Sequence, residues 1–144
     1  MAQRTQYRYN PIDLDKNRAV GVLLPIGGRP MFKSSYTTEQ QAISNLKNLL
    51  LTTKGERPFQ PLFGADIYSL LFENMNDDLG SNLQESLTND IKFWLPYILL
   101  DNVNVNSEPD YNKVAIKVSF RVTEQGANQT IILEVNNQGG LSIV

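Results

Sequence analysis

Cysteine and histidine are both absent from the chain. Without cysteine there are no disulfides, no thiolate nucleophile and no thiolate metal site, a composition that suits a reducing compartment. Without histidine the chain lacks the usual general base near neutral pH and the commonest metal ligand. Ser-His-Asp and Cys-His catalysis are therefore excluded within this chain. A carboxylate pair, a lysine or a carboxylate-held Mg²⁺ or Ca²⁺ stays open. No run of four basic residues occurs, and 13 Lys and Arg against 15 Asp and Glu give a net charge of −2. Phosphate recognition needs a concentrated basic face, so no nucleic-acid partner is expected. Long apolar runs are missing too. Phe93–Leu100 is the longest, it is interrupted by Pro96, and it falls far short of the ~20 residues of a membrane span. The opening MAQRTQYRYN has no apolar signal-peptide core. No membrane partner and no cofactor are expected, and synthesis in a cytoplasm is.

What is present fits one globular domain. The 144 residues are 41% hydrophobic and 19% charged, and a chain of this size buries roughly 68–70% of its unfolded surface. Residues 1–36 read as an extended N-terminal arm, punctuated by Pro11, Pro25, Gly27, Gly28 and Pro30, with Val20–Ile26 as a short strand. Residues 37–144 read as the domain proper.

Thr38 with Gln41 three residues on has the spacing of a capping box. Ala42, Ile43, Leu46, Leu49 and Leu50 follow at one-faced helical spacing, with Lys54 and Gly55 expected in the last turn and stop. Pro58 and Pro61 then forbid a helix over Gly55–Gly64, and Phe59, Leu62 and Phe63 are expected to pin that loop to the core. A second helix is expected from Asp66 through Ile67, Leu70 and Leu71 to Asn74-Met75. A third is expected from a Ser81/Gln84 capping box, burying Leu83, Leu87, Ile91 and Trp94/Leu95 and ending at Pro96.

Beyond Leu100 the period becomes two. Val103 and Val105 alternate with asparagines. Val114, Ile116, Val118, Phe120 and Val122 alternate with Ala115, Lys117, Ser119, Arg121 and Thr123. Thr130–Val135 and Leu141–Val144 supply further strands. The class is α+β: three central helices packed on a small sheet of mainly C-terminal strands, with the arm outside.

Leu51-Thr52-Thr53-Lys54-Gly55-Glu56-Arg57-Pro58-Phe59-Gln60-Pro61-Leu62-Phe63-Gly64-Ala65-Asp66, followed by a helix ending Leu71-Phe72-Glu73-Asn74, resembles a family signature. The family is the lysozyme-like baseplate wedge proteins of contractile phage tails, also found in type VI secretion baseplates. The resemblance runs from about Thr38 to Val122. It implies a structural virion protein of the tail baseplate, assembled in the host cytoplasm beside the tail tube. Such proteins hold the core bundle of the large wedge proteins and start the sheath, on a fold like the C-terminal part of a sheath subunit. Family members carry Glu-Pro-Arg after the third helix, tied to gripping the core bundle. Here the matching residues are Leu95-Pro96-Tyr97, which keep the proline and lose both charges.

The candidate partner-binding residues are accordingly Glu56, Arg57, Leu95, Pro96, Tyr97, Ile131 and Leu133. Arg57, its backbone restricted by the nearby Pro58 and Pro61, either braces the loop or faces a partner. Tyr97 is expected on the core bundle, or it is a core tyrosine at a helix stop. A sheet made of Val114–Val122 and Thr130–Val135 has an edge able to accept a strand from a sheath subunit. The rival reading is a muramidase-type glycosidase with Glu56 as general acid. Glu56 abuts Arg57 in a turn, which favours the charged form, and no second carboxylate stands at a partner position. No enzyme and no metal site are expected. Asp101, Glu108 and Asp110 lack the spacing of a calcium loop.

Overall fold

The computed structural model describes residues 11–24, 26–65, 67, 77–108, 113–122, 127–136 and 141–143. The chain forms two compact units, residues 1–45 and 46–144.

In the first unit a 3₁₀ turn at Pro11–Leu14 precedes two short antiparallel strands, β1 (Gly21–Val22) and β2 (Ser34–Ser35). Two further backbone bonds lengthen this ribbon, Val20 N–H to Ser35 O and Leu23 N–H to Lys33 O, both 2.8 Å. The first helix, α1, spans Thr38–Leu51. Its cap is Thr37, one residue before the expected one. Thr37 Oγ1 accepts the Gln40 amide at 3.2 Å, and its carbonyl accepts Gln41 N–H at 3.1 Å. Thr38 instead donates its amide and hydroxyl to the Asp13 carboxylate, at 2.7 and 2.6 Å. A carboxylate at this end meets the positive pole of the helix dipole.

Ala42, Leu46, Leu49 and Leu50 are buried along one face of α1, as their spacing requires. The helix stops at Leu51, before Lys54 and Gly55. Thr52 follows the last turn, its amide and its hydroxyl both donating to the Asn48 carbonyl, at 3.1 and 2.6 Å.

The second α-helix among the described residues, α2, spans Asp77–Trp94. It begins before Ser81, which lies inside it, so the expected capping box does not form. Leu83, Leu87 and Ile91 are buried on one face. Of the helix expected over Asp66–Asn74, only Ile67 is described; it is helical and buried. The remainder lies outside the described residues, so among the described residues two α-helices have bounds and the expected helix over Asp66–Asn74 is not confirmed.

Four strands form one antiparallel meander: β3 (Leu99–Glu108), β4 (Lys113–Arg121), β5 (Gln129–Asn136) and β6 (Leu141–Ile143), in chain order. Register puts Val103, Val118 and Ile131 in one cross-strand row, and Val105, Ile116 and Leu133 in the next. All are buried except the half-buried Val105. The opposite face carries the rows Asn102–Ser119–Thr130 and Asn104–Lys117–Ile132. Period-two alternation thus separates a core face from a wet face, and α2 packs against β3. Between Leu100 and Asn102 the register shifts, leaving Asp101 as the extra residue of a bulge. Its carboxylate accepts Arg121 Nη2 at 2.7 Å and Nε at 3.1 Å.

Candidate functional site

The Gly55–Gly64 loop is held by its own backbone. Gly55 N–H donates to Pro61 O at 2.7 Å, Gln60 N–H to Arg57 O at 3.2 Å, and Phe63 N–H to Gln60 O at 3.0 Å. Ala65 N–H closes the segment onto Thr52 O at 2.8 Å. Gly55 has φ 90° and Gly64 φ 128°, conformations that side chains resist. A Cβ on Gly64 would collide with the Thr52 carbonyl.

Side chains then tie the loop to both helices. Glu56 is exposed, and its carboxylate accepts Thr53 N–H at 3.1 Å. Lys54 Nζ pairs with Asp90 of α2 at 2.7 Å. Arg57 is half-buried: Nη2 donates to Asn48 Oδ1 of α1 at 2.9 Å, and the guanidinium carbon lies 4.1 Å from the centre of the Phe63 ring. Phe63 meets Trp94 edge-on, with centroids 5.2 Å apart, and Trp94 meets Phe93 in the same manner at 5.0 Å. The loop therefore reaches the C-terminal end of α2 through a chain of contacts, Asn48–Arg57–Phe63–Trp94–Phe93.

At that end the helix closes into a turn. Leu95 N–H still donates to Ile91 O at 2.8 Å, and Ile98 N–H donates to Leu95 O at 2.9 Å. Proline sits second in this four-residue turn, where its fixed φ is pre-set. Leu95 and Ile98 point inward, 6% and 3% exposed, while Pro96 is exposed and Tyr97 keeps 45% of its surface.

The two sequence motifs, far apart in the chain, thus meet at one corner. Phe59 is 99% exposed and Leu62 74%, which corrects the expectation that both pin the loop. The pinning is done by Phe63, Arg57 and the backbone bonds, and the bulky tip is left outside. Sequence reasoning missed Phe59, Leu62 and Phe93 as surface residues, although a Pro-x-x-Pro frame carrying no charge was a usable signal. Leu95 is in the core, so the apolar surface expected at 95–97 reduces to Pro96 and Tyr97.

Ile131 and Leu133 are also core residues, so β5 can offer a partner its backbone and not these side chains. Of the two strands expected to carry the acceptor edge, β4 is interior, bonded to β3 on one side and β5 on the other. On β5, β6 covers only Leu133–Val135. Thr130–Ile132 have no second strand beside them among the described residues. Also among these residues, no helix is long and apolar enough to cross a membrane, and no group of three acidic side chains could hold a metal.

Residues 38–127 match the family described as baseplate wedge protein gp25. Baseplate wedge protein gp25 of Enterobacteria phage T4 is 32% identical over 78 residues. That alignment takes in 54% of this chain and 58% of the relative, so the chain spans less than two thirds of its length. Among solved structures, a putative tail lysozyme from Geobacter sulfurreducens has a TM-score of 0.60 at 20% identity, covering 68% of this chain and 89% of the other. A chain of the anti-feeding prophage baseplate has a TM-score of 0.50 at 15% identity, covering 83% and 77%. At these identities the structures attest the fold.

Proposed function

The chain belongs to the baseplate wedge protein gp25 family, and on that premise we propose that it is a structural wedge component of a contractile tail baseplate. In this reading it resides in the virion, is assembled in the bacterial host cytoplasm, and binds other wedge proteins, the sheath and the tail tube. The observation that carries the reading is the corner where the Gly55–Gly64 loop meets the Leu95–Ile98 turn through Phe63 and Trp94. Both motifs lie inside the 38–127 match, and each leaves an aromatic side chain on the surface while its neighbours lock it in place.

Tyr97 is assigned to the core bundle of the large wedge proteins. An aromatic ring with a hydroxyl, set beside a rigid proline, has the composition of an interface anchor. Losing the charges of a Glu-Pro-Arg makes this contact less sensitive to salt than an ion pair. Arg57 is assigned a positioning role, since Asn48 and Phe63 already engage it. Glu56 acts the same way, through its bond to Thr53. The sheath is assigned to β5 by strand addition along Thr130–Ile132, in line with the short β6. The outer edge of β3 is the poorer acceptor, because the bulge at Asp101 twists it and the Asp101 carboxylate places charge on it.

A glycosidase role is not adopted. Glu56 is exposed to water, not set in an enclosed apolar pocket, and its carboxylate is engaged by the turn. Co-expression with the other wedge proteins of the same tail tests the structural reading. Wild type should co-purify with them in high and low salt, and Tyr97→Ala should lose at least about tenfold in affinity. Peptidoglycan release by the purified protein, abolished by Glu56→Gln, would contradict it.

A further inference from the structure

We propose that Phe59 is a docking plug, inserted into an uncharged apolar pocket on a neighbouring protein of the same baseplate. The proposal rests on the baseplate reading and extends it to Phe59, which was expected to pin the loop and instead stands outside it. Phe59 is 99% exposed at the tip of its loop and Leu62 is 74% exposed. Leaving a ring in water in a loop free to collapse would be unremarkable. This loop is not free. The Gly55–Pro61, Arg57–Gln60 and Gln60–Phe63 backbone bonds fix the tip, and Arg57 clamps its base to α1 and Phe63. A ring held out in this way has little ordering entropy left to lose on binding.

Charge decides the kind of partner. From Pro58 to Gly64 the loop carries no ionisable side chain. The charges at its base have internal partners: Lys54 with Asp90, Glu56 with the Thr53 amide, and Arg57 with Asn48. The tip thus presents a neutral apolar surface, complementary to a neutral apolar pocket. Stacking on single-stranded nucleic acid would need a cationic groove along the backbone. Lipid insertion would need more than one phenylalanine and one leucine without an accompanying basic patch. A protein pocket meets neither objection, since aromatic side chains are enriched at the desolvated cores of protein interfaces.

The test compares wild type with Phe59→Ala, Leu62→Ala and Gln60→Ala, each co-expressed with the other wedge proteins of the same tail. All three sites are exposed, so melting temperatures should stay at the wild-type value. Phe59→Ala should weaken wedge association by about 30-fold or more, and Leu62→Ala by about tenfold. Gln60→Ala should stay within about threefold. Equal association of Phe59→Ala and wild type overturns the plug while leaving the baseplate reading intact. Failure of wild type itself to join the wedge proteins overturns both. Phe59-dependent sedimentation with phosphatidylglycerol/phosphatidylethanolamine vesicles would overturn the protein pocket in favour of lipid.

Discussion

The β3–β6 meander and the Gly55–Gly64 loop handle apolar residues in opposite ways. In the sheet every second side chain turns inward, and the rows Val103–Val118–Ile131 and Val105–Ile116–Leu133 build the core. Strand geometry makes that choice, because the pleat sends alternate residues to opposite faces. In the loop the backbone is fixed by hydrogen bonds and by two glycines at positive φ. Side chains go where the turns send them, and Phe59 and Leu62 go outward. Hydrophobicity in the sheet therefore reports stability, while in the loop it reports surface that the fold does not use.

Two phenylalanines make the sharpest version of this contrast. Phe120 on β4 is fully buried, so Phe120→Ala should cost about 4 kcal/mol in chemical denaturation. Phe59→Ala should leave the denaturation midpoint unchanged, and equal losses at the two sites would erase the distinction. Next in size is Gly64→Ala, which combines a disfavoured φ with collision against the Thr52 carbonyl. It should cost about 3 kcal/mol, and a neutral effect would mean that the loop is not locked. Arg57→Ala removes one side-chain hydrogen bond and one cation–π contact, worth about 1 kcal/mol together. Its larger consequence should be a loosened loop, seen as faster amide exchange at Gly55 and Phe63. The smallest effect belongs to the sheet: Asp101→Asn breaks the partly exposed pair with Arg121. It should cost under about 1 kcal/mol and less in high salt.

How far the sequence discloses the structure follows the same division. The faces of α1 and α2 and the core rows of the sheet were legible because apolar residues recur with the element's own period. Boundaries were not. Thr37 and Thr38 look equally able to cap α1, and only Asp13, distant in sequence, engages Thr38 and leaves Thr37 as the cap. Ser81 resembles a helix start, yet α2 already begins at Asp77. Strand order was also hidden, since alternation marks a strand without naming its neighbours. The edge expected on a sheet of Val114–Val122 and Thr130–Val135 could therefore not be placed: β4 has two partners, and on β5 the strand β6 pairs with Leu133–Val135. At the candidate site, Pro96 betrayed a turn, but only the Leu95–Ile98 hydrogen bond decides that Leu95 faces in and Tyr97 out.

The corner carrying Phe59 and Tyr97 is the surface proposed to meet the wedge partners. A cryo-EM map of the assembled tail at side-chain resolution tests it most directly. Both rings should be covered by another chain, with Phe59 seated in an apolar pocket and Tyr97 against helices of the core bundle. A map in which both remain open to solvent in every copy would contradict the claim.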